Sequence, residues 1–252
     1  GLSNLSKMIG HIKGSGMNSI ALTDHGAMYG VVDFYKEAIK QAVKPIIGME
    51  AYTTNINMHE RPERGKFKNF HLILLAKDKE GYQNLMKLTS LAHTEGYYYR
   101  PRFDRETLAK YAKGLICSSA CPQGELPQAI IEGNLAEAKK IAEGFLDLFG
   151  QDYYLEIQRH NYANFLDAIE NPELKKEVQE MAETEKKANE GIIKISRELG
   201  IPLIATNDSH YVEKKDATAQ DALVCIATGK NVSDIKRLRY IDAPAFYLTT
   251  PD

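Results

Sequence analysis

Short apolar runs alternate along the chain with longer stretches in which apolar residues recur every three or four positions. This alternation is typical of βα units around a parallel sheet. The apolar runs predict six strands and, more weakly, a seventh, which span residues 18–23, 45–52, 70–76, 115–119, 153–158, 202–206 and 245–249.

Three stretches have the spacing of amphipathic helices. One follows the first predicted strand and places apolar residues from Val31 to Ala42 on one face, and another covers residues 135–149. The longest helix is predicted over residues 173–199, because its apolar positions keep helical spacing until a glycine and a proline follow it.

Polar residues cluster just after several of the predicted strands. Periodicity alone leaves an open sheet and a closed barrel as alternatives, but barrel enzymes build their sites from the loops that follow the strands. We therefore expect an α/β barrel, formed by a single domain over residues 1–252. The charged segment at about 161–190 is predicted to be an elaborated helical connection within that domain.

Composition narrows the class of protein. With 252 residues and 43% hydrophobic content, the chain is long enough to bury a sizeable core. Its net charge of −2 gives no general attraction to phosphate backbones, so any contact with nucleic acid needs a local patch. Three cysteines cannot form a disulfide framework in so long a chain, and no run approaches the ~20 apolar residues of a membrane span. We therefore expect a cytoplasmic protein without membrane contact.

Acidic, imidazole and thiol side chains follow the predicted strands. They are Asp24 and His25, Glu50, Cys117 and Cys121, Glu156 and His160, and Asp208 and His210. Strand ends converge on one rim of a parallel barrel, so these side chains could meet there. His71 stands at the start of its strand, and strand order alone does not place it with the others.

This set of side chains contains the ligand types of zinc, manganese and iron sites. Cations at the rim would bind a phosphate and lower the pKa of water, so metal-assisted phosphoester hydrolysis is the natural reaction class. A cysteine hydrolase is the alternative, with Cys121 as nucleophile and His210 or His71 as base. No residue pattern marks an oxyanion hole for it, and the sequence contains no glycine-rich phosphate loop.

Each candidate also has a structural interpretation. Asp24 could cap a turn or a helix, and Cys121 could be a small buried apolar residue. Glu50 follows a long apolar run, so a purely structural carboxylate there needs an arginine or lysine nearby. Cys117 and Cys225 are expected to be buried apolar side chains without a functional role. His11, His59 and His93 are expected to face solvent.

Five segments carry a resemblance to a known family: SIALTDHGAMYGVVDFYKEA, KPIIGMEAY, HLILLAKDKEGYQNLMKLTSLAHTEGYYYRPRFDRETL, GLICSSACPQGELPQAI and IPLIATNDSHYV. They resemble the PHP (polymerase and histidinol phosphatase) domain at the start of bacterial replicative DNA polymerase III alpha subunits, over nearly the whole chain. The stretch from GYQNLMKL to RPRFDRETL is similar to the polymerase branch and not to the free-standing histidinol phosphatases. The resemblance implies a distorted seven-stranded βα barrel of the TIM-like kind.

The resemblance also implies roles for individual residues. The implied metal ligands are His25, Glu50, His71, Cys121, Asp208 and His210. Asp208 and His210 are implied to be catalytic as well, while Asp24 and Glu156 resemble supporting residues beside the ligands. The implied cofactor is a divalent metal, with zinc as the first choice and manganese or iron as alternatives, and magnesium would serve the polymerase site outside this sequence.

The sequence also departs from the family pattern. Family members open with a strand that carries a His-x-His motif and then an aspartate, and this sequence begins just beyond them. We therefore expect that first strand to be absent, and Glu50, His71 and Cys121 to be able to hold one metal without it. Such a fragment is expected to be a poor catalyst. The polymerase palm, fingers and later domains are likewise expected to lie outside this sequence.

The resemblance implies a part in DNA replication and leaves three functions open. The first is a metal-dependent phosphoesterase that acts as a 3′–5′ proofreading exonuclease of the polymerase. The second is a non-catalytic scaffold that stabilises the polymerase and docks a proofreading subunit, and the third is a stand-alone PHP phosphatase such as histidinol phosphatase. The implied partners are DNA and other replisome subunits, including the proofreading subunit and, through absent regions, the sliding clamp.

Overall fold

The computed structural model describes residues 2–63 and 65–251. Strands and helices alternate along most of this length. In chain order they are α1 (Leu5–Gly14), β1 (Ser19–Leu22), α2 (Val31–Lys40), β2 (Lys44–Thr54), β3 (Asn69–Ala76), α3 (Lys79–Thr94), β4 (Arg102–Phe103), α4 (Arg105–Lys110), β5 (Leu115–Ser118), α5 (Glu125–Ile131), α6 (Leu135–Phe149), β6 (Tyr153–Gln158), α7 (Pro172–Leu199), β7 (Leu203–Thr206) and α8 (Ala217–Thr228). Short 3-10 turns cover Gly150–Asp152, Tyr162–Ala168 and Lys214–Asp216.

Six predicted strands and the three predicted helices are confirmed, with bounds that differ by a few residues at most. The predicted strand at 245–249 is wrong, because this segment runs beside the turn after β7 and forms one isolated bridge, Tyr211 with Tyr247. The carbonyl of Phe246 accepts hydrogen bonds from the backbone of His210 and Tyr211, so it is not available to the sheet. The two-residue strand β4 was not predicted.

Seven strands form one sheet in the order β1-β2-β3-β5-β6-β7, and β4 pairs with β2. The pairs that β1 and β4 make with β2, and that β6 makes with β5 and β7, are parallel. Strand β3 runs antiparallel to both β2 and β5. The start of β3 therefore lies at the same edge as the end of β2, which is where the parallel strands β1 and β4 also end.

The sheet is strongly curled. β1 and β7 are the first and last strands in its order, yet His25 after β1 and His210 after β7 have ring centroids only 6.0 Å apart. The loops that follow the outermost strands thus meet at one rim. The expected α/β fold with a distorted, barrel-like sheet is confirmed, and the reversal of β3 is the distortion.

Apolar residues pack into two main cores. The larger core takes residues from strands β2 to β6 and from helices α3 to α7, among them Met49, Leu74, Leu85, Phe103 and Ile192. The second core joins α1 and α2 to the outer part of the sheet through residues such as Ile9 and Phe34. Among the described residues, no helix combines the length and apolar character that crossing a lipid bilayer requires.

Helix ends are satisfied by side chains typical of caps. The side chains of Asn4, Asp78, Asp104, Asn134 and Asn171 accept hydrogen bonds from the first turns of α1, α3, α4, α6 and α7. Such caps pair backbone N–H groups that have no partner within the helix. Gly200 ends α7 in the left-handed conformation, as the sequence predicts.

The start of α3 is pressed against the loop before β5. A Cβ atom added to Gly81 would lie 1.7 Å from the carbonyl oxygen of Gly114, and the same carbonyl accepts a hydrogen bond from the backbone of Lys77. This close approach fixes α3, and with it the segment that leads to β4.

We expect Gly81→Ala to destabilise the fold, because the added methyl group must displace backbone. A loss of about 1–3 kcal/mol is expected for overpacking of this kind, measured as the free energy of urea unfolding. Gly14→Ala is the matched control, since nothing lies within 4 Å of a Cβ atom at that position. Equal stability of the two variants would contradict the close contact between α3 and the Gly114 loop.

Candidate metal centre

Three side chains from three neighbouring segments converge at the rim of the sheet. Glu50 lies on β2, His71 near the start of β3 and His25 in the turn after β1. The Nδ1 atom of His71 lies 2.7 Å from Oε1 of Glu50, and Nδ1 of His25 lies 3.2 Å from Oε2. One ligand atom from each residue lies within 4.8 Å of the others, so the group could hold a metal ion. We call it the His–Glu–His centre.

The register of the sheet brings Glu50 and His71 together. Tyr52 pairs directly with His71 across the antiparallel ladder. Alternate residues of a strand face the same side, so Glu50, Tyr52 and His71 share one face. The antiparallel direction of β3 explains why a histidine at the start of a strand joins residues at the ends of other strands.

Backbone pairing extends beyond β1 and positions His25. His25 forms a parallel bridge with Glu50, in which the backbone N–H of Gly26 donates to the Glu50 carbonyl at 2.8 Å. Gly26 has φ +61°, and a Cβ atom there would lie 2.8 Å from Cγ of Pro101. The glycine of the Asp-His-Gly segment is therefore required by both conformation and space.

Cys121 lies next to the centre in the loop after β5. Its Sγ atom is 3.4 Å from Nδ1 of His71 and 3.6 Å from Oε1 of Glu50. The loop is held by a hydrogen bond from the backbone N–H of His71 to the carbonyl of Gln123, at 3.0 Å. The thiol is thus placed where it could become a fourth ligand.

Asp208 and His210 lie in the same cleft, with the ring centroid of His210 6.0 Å from that of His25. Asp208 has φ +48°, and its carbonyl accepts a hydrogen bond from Nδ1 of His210 at 2.7 Å. This bond leaves Nε2 of His210 as the nitrogen with the lone pair. Both residues line a cleft of about 1120 Å³ that also contains His25, His71 and Cys121.

Local electrostatics favour a deprotonated centre. Burial alone would raise the pKa of Glu50, but the hydrogen bond from His71 and the neighbouring imidazoles outweigh it and lower that pKa. Burial lowers the pKa of His25, which favours its neutral imidazole, and Glu50 opposes this shift in part. Burial raises the pKa of Asp208, and His210 opposes this shift only in part. An ionised carboxylate and a neutral imidazole are the forms that bind a cation.

Two further candidates lie outside the His–Glu–His centre. The carboxylate of Asp24 lies beside Gly30 at the start of α2, and it makes no capping hydrogen bond to that helix. Glu156 is buried among polar partners, because it accepts hydrogen bonds from Ser118, Thr206 and Gln158. Burial raises the pKa of Glu156.

The expectation that His11 and His93 face solvent is wrong, because both are partly buried, whereas His59 is exposed. The Nε2 atom of His11 lies 3.1 Å from the Leu248 carbonyl, and that of His93 lies 2.9 Å from the carbonyl of Gly26. Each imidazole thus closes a contact between distant segments, which spacing along a helix does not reveal.

The carboxylate that holds His160 is not evident from the sequence. The Oε2 atom of Glu185, on α7, lies 2.6 Å from Nδ1 of His160, and the same carboxylate accepts from the His160 backbone N–H. Both residues line the cleft. Glu185 stands among many charged residues of a solvated helix, so no local signal separates it from its neighbours.

The fold and the centre together define an α/β protein with a site at the barrel-like rim that could hold a metal ion. The family model for the PHP domain matches residues 1–160. The chain therefore belongs to the PHP domain family.

Curated relatives extend the match over the whole chain. The chain is 44% identical over 254 residues to the DNA polymerase III subunit alpha of Borreliella burgdorferi, and 40% identical over 255 residues to that of Treponema pallidum. Each alignment covers 100% of this chain and 20% of the relative. The Thermus aquaticus subunit is 40% identical over 237 residues, or 93% of this chain and 18% of the relative. The chain thus spans about a fifth of the length of these relatives.

One solved structure shows a distant likeness. It is that of an amidohydrolase from Chromobacterium violaceum, with 11% identity and a TM-score of 0.28, covering 96% of this chain and 57% of that protein. A likeness at this level carries no argument about the fold or the function of this chain.

We expect the cysteines of the folded chain to react slowly with iodoacetamide at pH 8. All three are buried, and burial raises the pKa of the Cys117 and Cys121 thiols, so little reactive thiolate is present. Mass spectrometry should show little alkylation of the folded chain and full alkylation of all three thiols in urea. Rapid alkylation of Cys121 alone would instead support the cysteine-hydrolase alternative.

Proposed function

We propose that this chain is the PHP domain of a bacterial replicative DNA polymerase alpha subunit and that its rim carries a metal-dependent phosphoesterase site. The proposed reaction is removal of nucleotides from the 3′ end of DNA, as a proofreading exonuclease. The observation that carries the proposal is the convergence of Glu50, His25 and His71, whose ligand atoms lie within 4.8 Å of one another.

The donor set fits a divalent metal. Two imidazole nitrogens, one carboxylate oxygen and the nearby thiol of Cys121 are the ligand types that zinc prefers, and manganese or iron would accept the nitrogen and oxygen donors. When bound, such a metal would supply Lewis acidity toward a phosphate oxygen and toward water. Magnesium belongs in this proposal to the polymerase site of the longer protein.

The residues around the centre have separate tasks in this proposal. Glu50 remains ionised and holds His25 and His71 in place through its two oxygens. Asp208 and His210 line the same cleft, and Nε2 of His210 makes no hydrogen bond to the described residues. Arg100 also lines the cleft and offers a guanidinium group to a phosphate.

The relatives support a replicative setting for the proposed activity. We therefore infer that DNA is the substrate and that other replisome subunits, such as a proofreading subunit and the sliding clamp, meet the longer polymerase. Three free cysteines fit the reducing cytoplasm, where we place the protein.

We expect the purified chain to bind zinc or manganese and to lose it in the double variant Glu50→Ala/His71→Ala. Elemental analysis after dialysis measures bound metal, and release of nucleotide from a 3′-labelled single strand measures activity. The double variant should lose stoichiometric metal and at least about 100-fold in activity. Removing two ligands should cost more than removing an outer-shell partner, which costs about 10–100-fold.

His59→Ala is the matched control, since His59 is exposed and lies outside the cleft. It should keep the metal and the activity of the unaltered chain. Circular dichroism verifies that all variants are folded. A folded, metal-free chain without nuclease activity would contradict the proposal and favour a non-catalytic scaffold.

A further inference from the structure

The face beside the rim exposes several large aromatic side chains. Tyr29 is 83% exposed, Tyr97 is 55% exposed and Tyr99 is 57% exposed. Single exposed apolar side chains are common on protein surfaces, but clustered aromatic rings mark interaction sites. We call the group the aromatic strip, which consists of Tyr29, Phe67, His93, Tyr97, Tyr98 and Tyr99.

The rings of the strip lie close to one another. The centroid of His93 is 6.1 Å from that of Tyr29 and 6.5 Å from that of Tyr97. In the second part of the strip, the ring of Tyr98 is 4.6 Å from Tyr99 and 5.4 Å from Phe67. Tyr97 and Tyr98 are consecutive residues, so the two groups of rings follow each other along the chain.

The strip is held in place by contacts below it. Nε2 of His93 lies 2.9 Å from the carbonyl of Gly26, and the hydroxyl of Tyr98 donates to the carbonyl of Pro62 at 2.7 Å. A surface fixed before binding loses little conformational entropy when a ligand arrives. These contacts fix His93 and Tyr98, and the exposed rings of Tyr29, Tyr97 and Tyr99 lie against those two.

Positive charge accompanies the rings. Arg61, Arg100 and Arg102 lie in or beside the strip, and in the described part of the chain none has a carboxylate within 4.0 Å. Arg61 and Arg102 donate to backbone carbonyls, and their guanidinium groups lie 5.5 Å and 5.3 Å from the centre of the Tyr98 ring. Arg102 is fully buried against the rings of Phe67 and Tyr98, so the exposed positive charge of the strip comes from Arg61 and Arg100.

The strip leads to the His–Glu–His centre. The guanidinium group of Arg100 lies 5.5 Å from the centre of the Tyr52 ring, and that ring is 5.2 Å from His71 and 6.1 Å from His25. Arg100 and Tyr52 both line the cleft. A ligand that lies along the strip and continues past Arg100 thus arrives at the centre.

We propose that the aromatic strip binds single-stranded DNA, with bases stacked on Tyr29, Tyr97 and Tyr99 and the phosphate backbone beside Arg100. Unpaired bases offer open faces to aromatic rings, whereas the bases of a duplex are already stacked on each other. The strip would deliver the end of the strand to the cleft. Removal of nucleotides from that end rests on the proposed function, whereas binding of the strand does not, because it needs no metal.

The test is fluorescence anisotropy of a labelled oligothymidine strand, titrated with the purified chain in EDTA at low salt. Tyr97→Ala and Tyr29→Ala should each weaken binding about tenfold, the size expected for losing one stacked base. Tyr97→Phe should keep the affinity, because the ring is retained. Arg100→Gln should weaken binding and make it less sensitive to salt, because one phosphate contact is lost.

Tyr35→Ala is the matched control, since Tyr35 is 51% exposed on α2 but lies outside the strip. It should bind like the unaltered chain, and the metal-site double variant Glu50→Ala/His71→Ala should bind as well. Equal affinity for a duplex of the same length, or no effect of either tyrosine substitution, would overturn the proposal. If the unaltered chain binds the strand but holds no metal and releases no nucleotide, the phosphoesterase function is contradicted and the binding proposal stands.

Discussion

A buried carboxylate in the middle of the sheet organises the rim of this protein. Glu50 lies on a strand whose neighbouring residues are apolar, and an unpaired charge there would be costly. His71 on β3 and His25 in the turn after β1 supply the partners. The two histidines reach Glu50 from opposite neighbours because β3 runs antiparallel to β2 and the turn after β1 extends the parallel pairing. The direction of β3 and the conformation of Gly26 therefore each place a histidine beside this carboxylate.

Much of the fold follows from local patterns in the sequence. Apolar runs identify six strands because each is buried on at least one face, and helical spacing with a terminal glycine identifies α7. The direction of β3 depends on which edge of β2 it joins, and periodicity carries no information about that choice. Strand β4 is too short for any period, and the segment at 245–249 has strand-like composition although the turn after β7 occupies its backbone groups.

The candidate site follows from the family resemblance of the sequence and not from local patterns. His25, Glu50, His71 and Cys121 carry a family motif, so resemblance grouped them where strand order could not place His71. The structure brings these four side chains together, while Asp24 lies beside α2 and Glu156 is surrounded by its own hydrogen-bond partners. The pairing of Glu185 with His160 depends on how α7 lies across the end of β6. Such tertiary contacts between distant segments leave no mark on a single sequence.

The long connection between β2 and β3 carries residues of the exposed surface, and the strands on either side of it carry residues of the rim. It carries Arg61 and Phe67, which belong to the patch of rings and cations, whereas Glu50 and His71 lie in the ladder on either side of it. A change of one residue within a ladder turns every following side chain to the other face, but a change within a connecting loop is tolerated more readily. Insertions and deletions in this loop can therefore alter the rings and cations of the surface without moving the residues at the rim. The composition of the surface and the geometry of the rim are thereby free to change independently.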